Sequence, residues 1–157
     1  MSNSGATLTM LLIGGYRSLV EAAQTELAAR GYADVRPVHD VAIRAISSGA
    51  DSASELGRRL MVSKQAAAKT IDILQKRAYV VREVDPLDAR RKCLRVTARG
   101  LEMLREAEEI FDELRNKWAQ QIGSAQLEEL EKYLAELIGS DPNRLDNSGW
   151  LARDLGE

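Results

Sequence analysis

At 157 residues, the chain has room for one well-cored domain, and its single cysteine, Cys93, excludes an internal disulfide. Hydrophobic residues make up 45% but aromatics only 4%, so the core must be built from Leu, Ile, Val and Ala, and no apolar run nears the roughly 18 residues of a membrane span. The net charge of −2 hides a segregation: residues 1–51 carry −1, residues 52–100 carry +7 and residues 101–157 carry −8, a basic middle between acidic flanks that suits a nucleic-acid module in a solvated frame.

The opening MSNSGATLTMLLIGG lacks the basic region of a secretory signal. With the lone thiol, this predicts a cytoplasmic protein with no membrane partner. Residues 1–6 are small and polar and are expected to fray. From Thr7 to Arg30, Leu8, Leu12, Tyr16, Leu19, Ala23 and Leu27 recur at three- and four-residue spacing, which predicts a helix capped by Thr7 or Thr9 and stopped by Gly31. Gly14 and Gly15 interrupt the pattern and permit close approach of another helix.

Pro37 opens a second predicted helix over 37–48, with Val38, Val41, Ile43 and Ile46 as its apolar set. Ser52 starts a third, and Glu55 completes a capping-box pattern. Met61 and Val62 make a turn. Ser63 caps a fourth helix to about Arg77, with Ala66, Ala67, Ile71 and Leu74 inward. The period then changes: Tyr79–Val84 and Lys92–Val96 read as strands joined by the loop DPLDARR, giving a hairpin with a basic tip. A long helix follows over Ala98–Ile122, with Leu104, Phe111 and Trp118 seven apart. After Gly123 a last helix carries Leu127, Leu130, Leu134, Leu137 and Ile138, and ends at Gly139. The tail, 141–157, is loop-rich, with Leu145, Trp150, Leu151 and Leu155 as candidates to dock.

Helix, tight turn, helix and basic hairpin have a physical use on duplex DNA. The second helix of such a pair lies in the major groove with its leading residues at base edges. Ser63, Lys64, Gln65, Ala68 and Lys69 occupy that surface. Lys donates to guanine, Gln pairs with adenine, and Ser63 with the free N–H groups of the helix start suits a phosphate. In the hairpin, Asp88, Arg90, Arg91 and Lys92 form the tip. Arg90 is the candidate for a narrow minor groove, with Asp88 holding its guanidinium. A hairpin whose charges serve only solubility is the alternative.

These residues resemble the MarR family of bacterial transcription regulators: ELGRRLMVSKQ at the helix-turn-helix, DPLDARRKCLRVTARG across the wing, and the long helix after it. The wing match rests on Asp88, Arg90, Thr97 and Gly100, and the resemblance spans roughly 8–138. It implies a mainly α fold with a small β-hairpin wing, a winged helix-turn-helix at 37–97, and dimerisation helices at 1–36 and 98–140. It also implies a homodimer that binds a pseudo-palindromic operator of double-stranded DNA and commonly represses transcription. Leu8, Leu12, Leu104, Phe111, Trp118, Leu130 and Leu134 would line the dimer seam. A small aromatic or anionic effector would bind between the dimerisation helices and the head.

Four positions depart from the family pattern toward a looser head: Met61 and Ala78 where Gly is usual, and Ala67 and Thr70 where larger apolar residues are usual. Gly57 stands where Ala is usual. Cys93 reads as a small strand hydrophobe rather than a redox sensor. His39, the only histidine, reads as a surface residue; its alternative is to line an effector pocket with Tyr16, Arg17 and Arg36. The run Glu108, Glu109, Asp112 and Glu113 reads as a solvated face. No nucleophile–base set, phosphate-binding Gly loop or metal-ligand spacing occurs, so no catalytic residue, metal or cofactor is expected. The alternative to a DNA-binding regulator is a winged-helix module that pairs proteins without reading DNA.

Overall fold

The computed structural model describes residues 4–139, so the tail 141–157 and its candidate docking residues lie outside the described residues. Six helices and one hairpin follow in the order α1 (Gly5–Ala29), α2 (Pro37–Ser47), α3 (Ala53–Leu60), α4 (Lys64–Lys76), β1 (Val80–Asp85), β2 (Asp88–Val96), α5 (Ala98–Ile122) and α6 (Ser124–Ile138). This is a mainly α winged helix-turn-helix.

The first helix begins earlier than the sequence predicts. Ser4, not Thr7 or Thr9, is its cap, accepting the Thr7 N–H at 3.1 Å. The Thr9 hydroxyl instead donates back to the Gly5 carbonyl. At α3 the Ser52 hydroxyl accepts the Glu55 N–H, while the Glu55 carboxylate is held by Arg58 and Arg59. That pairing, led by the Arg58 hydrogen bond, pulls the Glu55 carboxyl down to about 2.

α1 packs on α5, and α5 on α6; α3 and α4 pack on each other, and α2 touches α3, α4, α5 and β2. One continuous core runs through both parts. Ile43, Leu56, Ile71, Leu74 and Tyr79 fill the head, and Met103 and Ile110 of α5 carry it into the frame. At Gly15 an added Cβ would sit 3.4 Å from Trp118 Cη2, so α1 meets the Trp118 ring of α5 closely there. On α4, Ala67 is fully buried but Ala66 is exposed, which corrects its inward assignment: it leads the buried stripe of Ala67, Ile71 and Leu74 by one residue, and so by about 100° of helix.

Four helices end in the same way. One residue takes a left-handed φ, just after the cap at α1, α2 and α4 and at the cap itself in α3, and the next N–H donates back to the carbonyl five positions earlier: Tyr32 to Leu27, Ala50 to Ala45, Val62 to Gly57 and Tyr79 to Leu74. Gly31 and Gly49 supply the left-handed residue at α1 and α2, but Met61 (φ 56) and Ala78 (φ 62) supply it at α3 and α4. The departures from the family pattern thus keep the cap geometry with side chains in place. Gly57 is fixed by the same turn, since a Cβ there would lie 3.0 Å from the Val62 carbonyl oxygen.

The acidic run on α5 is not simply solvated. Arg30 of α1 bonds Glu106 (2.6 Å), Glu113 (3.1 Å) and, more weakly, Glu109 (3.4 Å), and Arg44 of α2 reaches Glu108 at 3.1 Å. These ion pairs tie α1 and α2 to the long helix.

Candidate nucleic-acid interface

The recognition surface starts at the cap of α4. Ser63 Oγ accepts the Ala66 N–H at 3.0 Å, so its hydroxyl is engaged in capping the start of the helix. Lys64, Gln65 and Lys69 are exposed beyond it, and Ala68 is half-buried.

β1 and β2 pair antiparallel, with Val80 opposite Val96, Arg82 opposite Leu94 and Val84 opposite Lys92. The register then shifts, so that Asp85 faces Asp88. The wing loop therefore shrinks to Pro86 and Leu87, and Asp88, Arg90 and Arg91 lie on β2 with Lys92 rather than in a loop. Ala89, Arg90 and Arg91 fall in the bulge, where β1 offers no partner. Leu87 at the tip is 96% exposed.

Asp88 does not clamp the Arg90 guanidinium. Its Oδ1 accepts the Arg90 backbone N–H at 3.0 Å, because two residues is the reach of a carboxylate to the local main chain. The ion pairs fall instead to Arg91, with Asp51 Oδ1 at 2.9 Å and Asp85 Oδ2 at 3.9 Å. Sequence reasoning missed both acids. Asp85 was visible only as the Asp-Pro turn initiator, and Asp51 had no local signal at all.

The pairing pattern narrows the basic middle segment. Arg58 and Arg59 are bound to Glu55, Arg77 to Asp34, Arg91 to Asp51 and Arg95 to Glu83. Lys64, Lys69, Arg90 and Lys92 make no ion pair among the described residues. Lys76 at the end of α4, Arg82 on β1 and Arg99 on α5 make none either, so the unpaired charge stands along α4, on the wing and at the start of α5.

His39 is a correction. It is 5% exposed, because it is the third residue of α2 and its ring caps the helix start: Nδ1 accepts the Arg36 N–H at 3.1 Å. The neutral tautomer therefore carries its proton on Nε2. Burial, helped by the Arg77 guanidinium 3.4 Å from Nδ1, pushes its pKa below the ordinary value. Around it, Arg77 donates to the Asp34 carbonyl and Tyr79 donates to Asp34 Oδ1 at 2.7 Å. Arg99 lies over the Tyr79 ring, 4.9 Å from its centroid, and donates to the Tyr79 oxygen. Burial, with the Asp34 hydrogen bond next, pushes the Tyr79 hydroxyl up to about 12. This network joins the α1–α2 connection, the end of α4 and the start of α5.

Of the four residues considered for an effector, three line two cavities. One, of about 390 Å³, lies among α1, α2 and α5; Tyr16 and Arg36 line it with Leu19, Leu27, Val41 and Phe111. Asp40 lines it too; its Oδ2 takes the Arg44 Nε–H at 2.9 Å, and its buried Oδ1 has no hydrogen-bond partner among the described residues. The other, of about 360 Å³, lies against α4 and includes Arg36, His39, Lys69 and Arg77. Arg17 lines neither and is exposed.

Of the residues assigned to a dimer seam, Leu8, Leu12, Phe111 and Leu130 are exposed within the single chain. Leu104, Trp118 and Leu134 are half-buried, Leu104 against the core. Cys93 is half-buried on β2. No group of three or more His, Cys, Asp or Glu among the described residues is placed to hold a metal. No helix there is long and apolar enough to cross a membrane.

Residues 41–91 match the model of the MarR family. Three solved structures share the fold. Rv1404 from Mycobacterium tuberculosis matches at TM-score 0.70 and 20% identity, over 87% of this chain and 94% of that one. The transcriptional regulator Tm0710 from Thermotoga maritima matches at 0.61 and 21%, over 84% and 92%. A mutant of S. aureus MepR bound to an oligodeoxyribonucleotide matches at 0.61 and 17%, over 85% and 96%. No curated protein sequence matches the chain.

Proposed function

We propose that this chain, whose residues 41–91 match the model of the MarR family, is a homodimeric transcriptional regulator that reads an inverted-repeat operator and represses from it. The observation that carries the reading is a set of cations without ion pairs among the described residues, Lys64 and Lys69 at the leading turns of α4 and Arg90 and Lys92 on β2 of the wing. Most arginines of the head are held by its own carboxylates; Lys76 at the end of α4 and Arg82 on β1 also make no ion pair among the described residues, but these four stand on the leading turns of α4 and on the wing, where a polyanion would lie. Lys64, Gln65 and Lys69 would meet base edges and phosphates in the major groove, and Arg90 the adjacent minor groove.

The frame, residues 1–36 and 98–140, would supply the dimer. Leu8 at 59% and Leu137 at 82% exposure are large apolar side chains on α1 and α6, and a second copy would cover them. An effector would enter the cavity among α1, α2 and α5, which borders both frame and head. A small aromatic or anionic molecule bound better by one head spacing than the other would shift the equilibrium by that difference in affinity.

Selection of genomic fragments by the purified full-length protein, followed by footprinting, tests this reading. The expected result is an inverted repeat with half-sites about one helical turn apart. Recovery of fragments with no shared site would leave a winged-helix module that pairs proteins without reading DNA.

A further inference from the structure

Arg91 stands in the run of wing cations, and its charge invites assignment to DNA. Its guanidinium is already committed. Nη2 lies 2.9 Å from Asp51 Oδ1, and Nη1 lies 3.9 Å from Asp85 Oδ2. Asp51 sits just before Ser52, the cap of α3. Asp85 ends β1, and its side chain is only 14% exposed. One side chain therefore spans β2, the end of β1 and the approach to the helix-turn-helix.

Two further bonds brace the same place. The Leu94 N–H donates to the Asp51 carbonyl at 2.9 Å, so β2 is tied to that approach by main chain as well. Asp85 holds the wing turn with its other oxygen, Oδ1 accepting the Leu87 N–H at 2.9 Å. Arg90, one residue earlier, makes no ion pair among the described residues; Asp88 fixes its main chain and leaves its guanidinium to solvent.

We propose that Arg91 is a positioning residue, a strap that aims the wing relative to the helix-turn-helix, and that Arg90 alone of the two is presented to DNA. A cation between two carboxylates is largely neutralised where it stands and adds little to phosphate attraction. The planar fork of arginine suits the task, because it can serve carboxylates on two elements at once, which a lysine point charge does less well. Half-exposed ion pairs of this kind contribute little to stability, so the strap acts on where the wing points rather than on whether the head folds. The consequence for affinity rests on the DNA-reading proposal; the geometry does not.

The test compares Asp51→Asn, Arg91→Ala, their combination, and the charge swap Asp51→Arg with Arg91→Asp, all in the full-length protein. On the selected DNA site, the strap predicts that each single variant binds about 2- to 5-fold more weakly, the range that an exposed ion pair spans. The combination is no weaker than either single, and the slope of log K against log salt is unchanged. The charge swap recovers part of the loss, that of the Asp51 arm, because the carboxylate it places at position 91 also faces Asp85. A phosphate contact predicts the opposite signs: Arg91→Ala lowers the slope by about one, and Asp51→Asn tightens binding by removing a repelling charge. In the homodimer the change in slope is counted once for each head, about two in all. That pattern overturns the proposal.

A second readout uses no DNA. Hydrogen exchange at the Leu94 amide should quicken in both single variants, return toward the wild-type rate in the swap, and stay at the wild-type rate in Arg90→Ala. Unchanged exchange at Leu94 in the single variants overturns the strap. Because this arm does not depend on the chain binding DNA, a failed strap and a failed DNA-binding reading give different results.

Discussion

His39 is held neutral by the same contacts that start α2. Its Nδ1 takes the Arg36 N–H, and burial with the neighbouring Arg77 lowers its pKa from the ordinary 6.5. The unfolded chain thus binds this proton more readily than the folded one, and stability is present above 6.5 and lost as pH falls below it. His39→Gln should flatten the dependence of stability on pH between about 7 and 5 relative to wild type, measured as urea midpoints at each pH. Equal slopes in both proteins would show that the ring does not titrate against the fold. A histidine acting as its own helix's cap has no signature in spacing alone, which is why it reads as a surface residue from sequence. Arg90 and Arg91 make the same point. Their charges are legible, but the partner that separates their roles, Asp51, is 40 residues away.

The elements themselves are legible wherever apolar period decides them. The 25-residue α1 and α5 and the two helices of the helix-turn-helix lie within a few residues of where periodicity puts them. The wing is less so, because the register shift between Val84 and Asp85 packs three unopposed residues into β2. Short polar runs carry no period from which such a bulge can be read. The helix ends show a second limit. Met61 and Ala78 sit in the left-handed conformation that glycine adopts without cost. Met61→Gly and Ala78→Gly should each stabilise the head by about 0.5–1 kcal/mol net of the added freedom of the unfolded chain. A rise in urea midpoint at unchanged m value checks this. A fall would mean that the side chains at 61 and 78 contribute more through contacts than they cost in backbone strain.

At the scale of the molecule, frame and head share one core, and charge pairs add to the join. Arg30 and Arg44 reach across to the α5 glutamates, while Asp34, Arg77, Tyr79 and Arg99 link the connection after α1 to the end of α4 and the start of α5. The acidic stretch was visible in the sequence, but not the arginines that it binds. Against that paired interior, α1 and α6 leave Leu8, Leu12, Leu130 and Leu137 exposed. Leu12→Glu with Leu130→Glu should convert a dimer to a folded monomer, seen as a halved mass in sedimentation with the helical circular dichroism retained. An intact dimer would place the seam elsewhere.

The central claim is that the unpaired cations of α4 and the wing read DNA from a paired frame. It is tested most directly by the affinity of the full-length protein for its selected site across a salt series. Log K should fall linearly with log salt at a slope of about −4 or steeper, since two heads displace several counterions. Lys64→Ala with Lys69→Ala should make the slope shallower by about one or more. Binding that does not respond to salt, or a slope that these substitutions leave untouched, would contradict that claim.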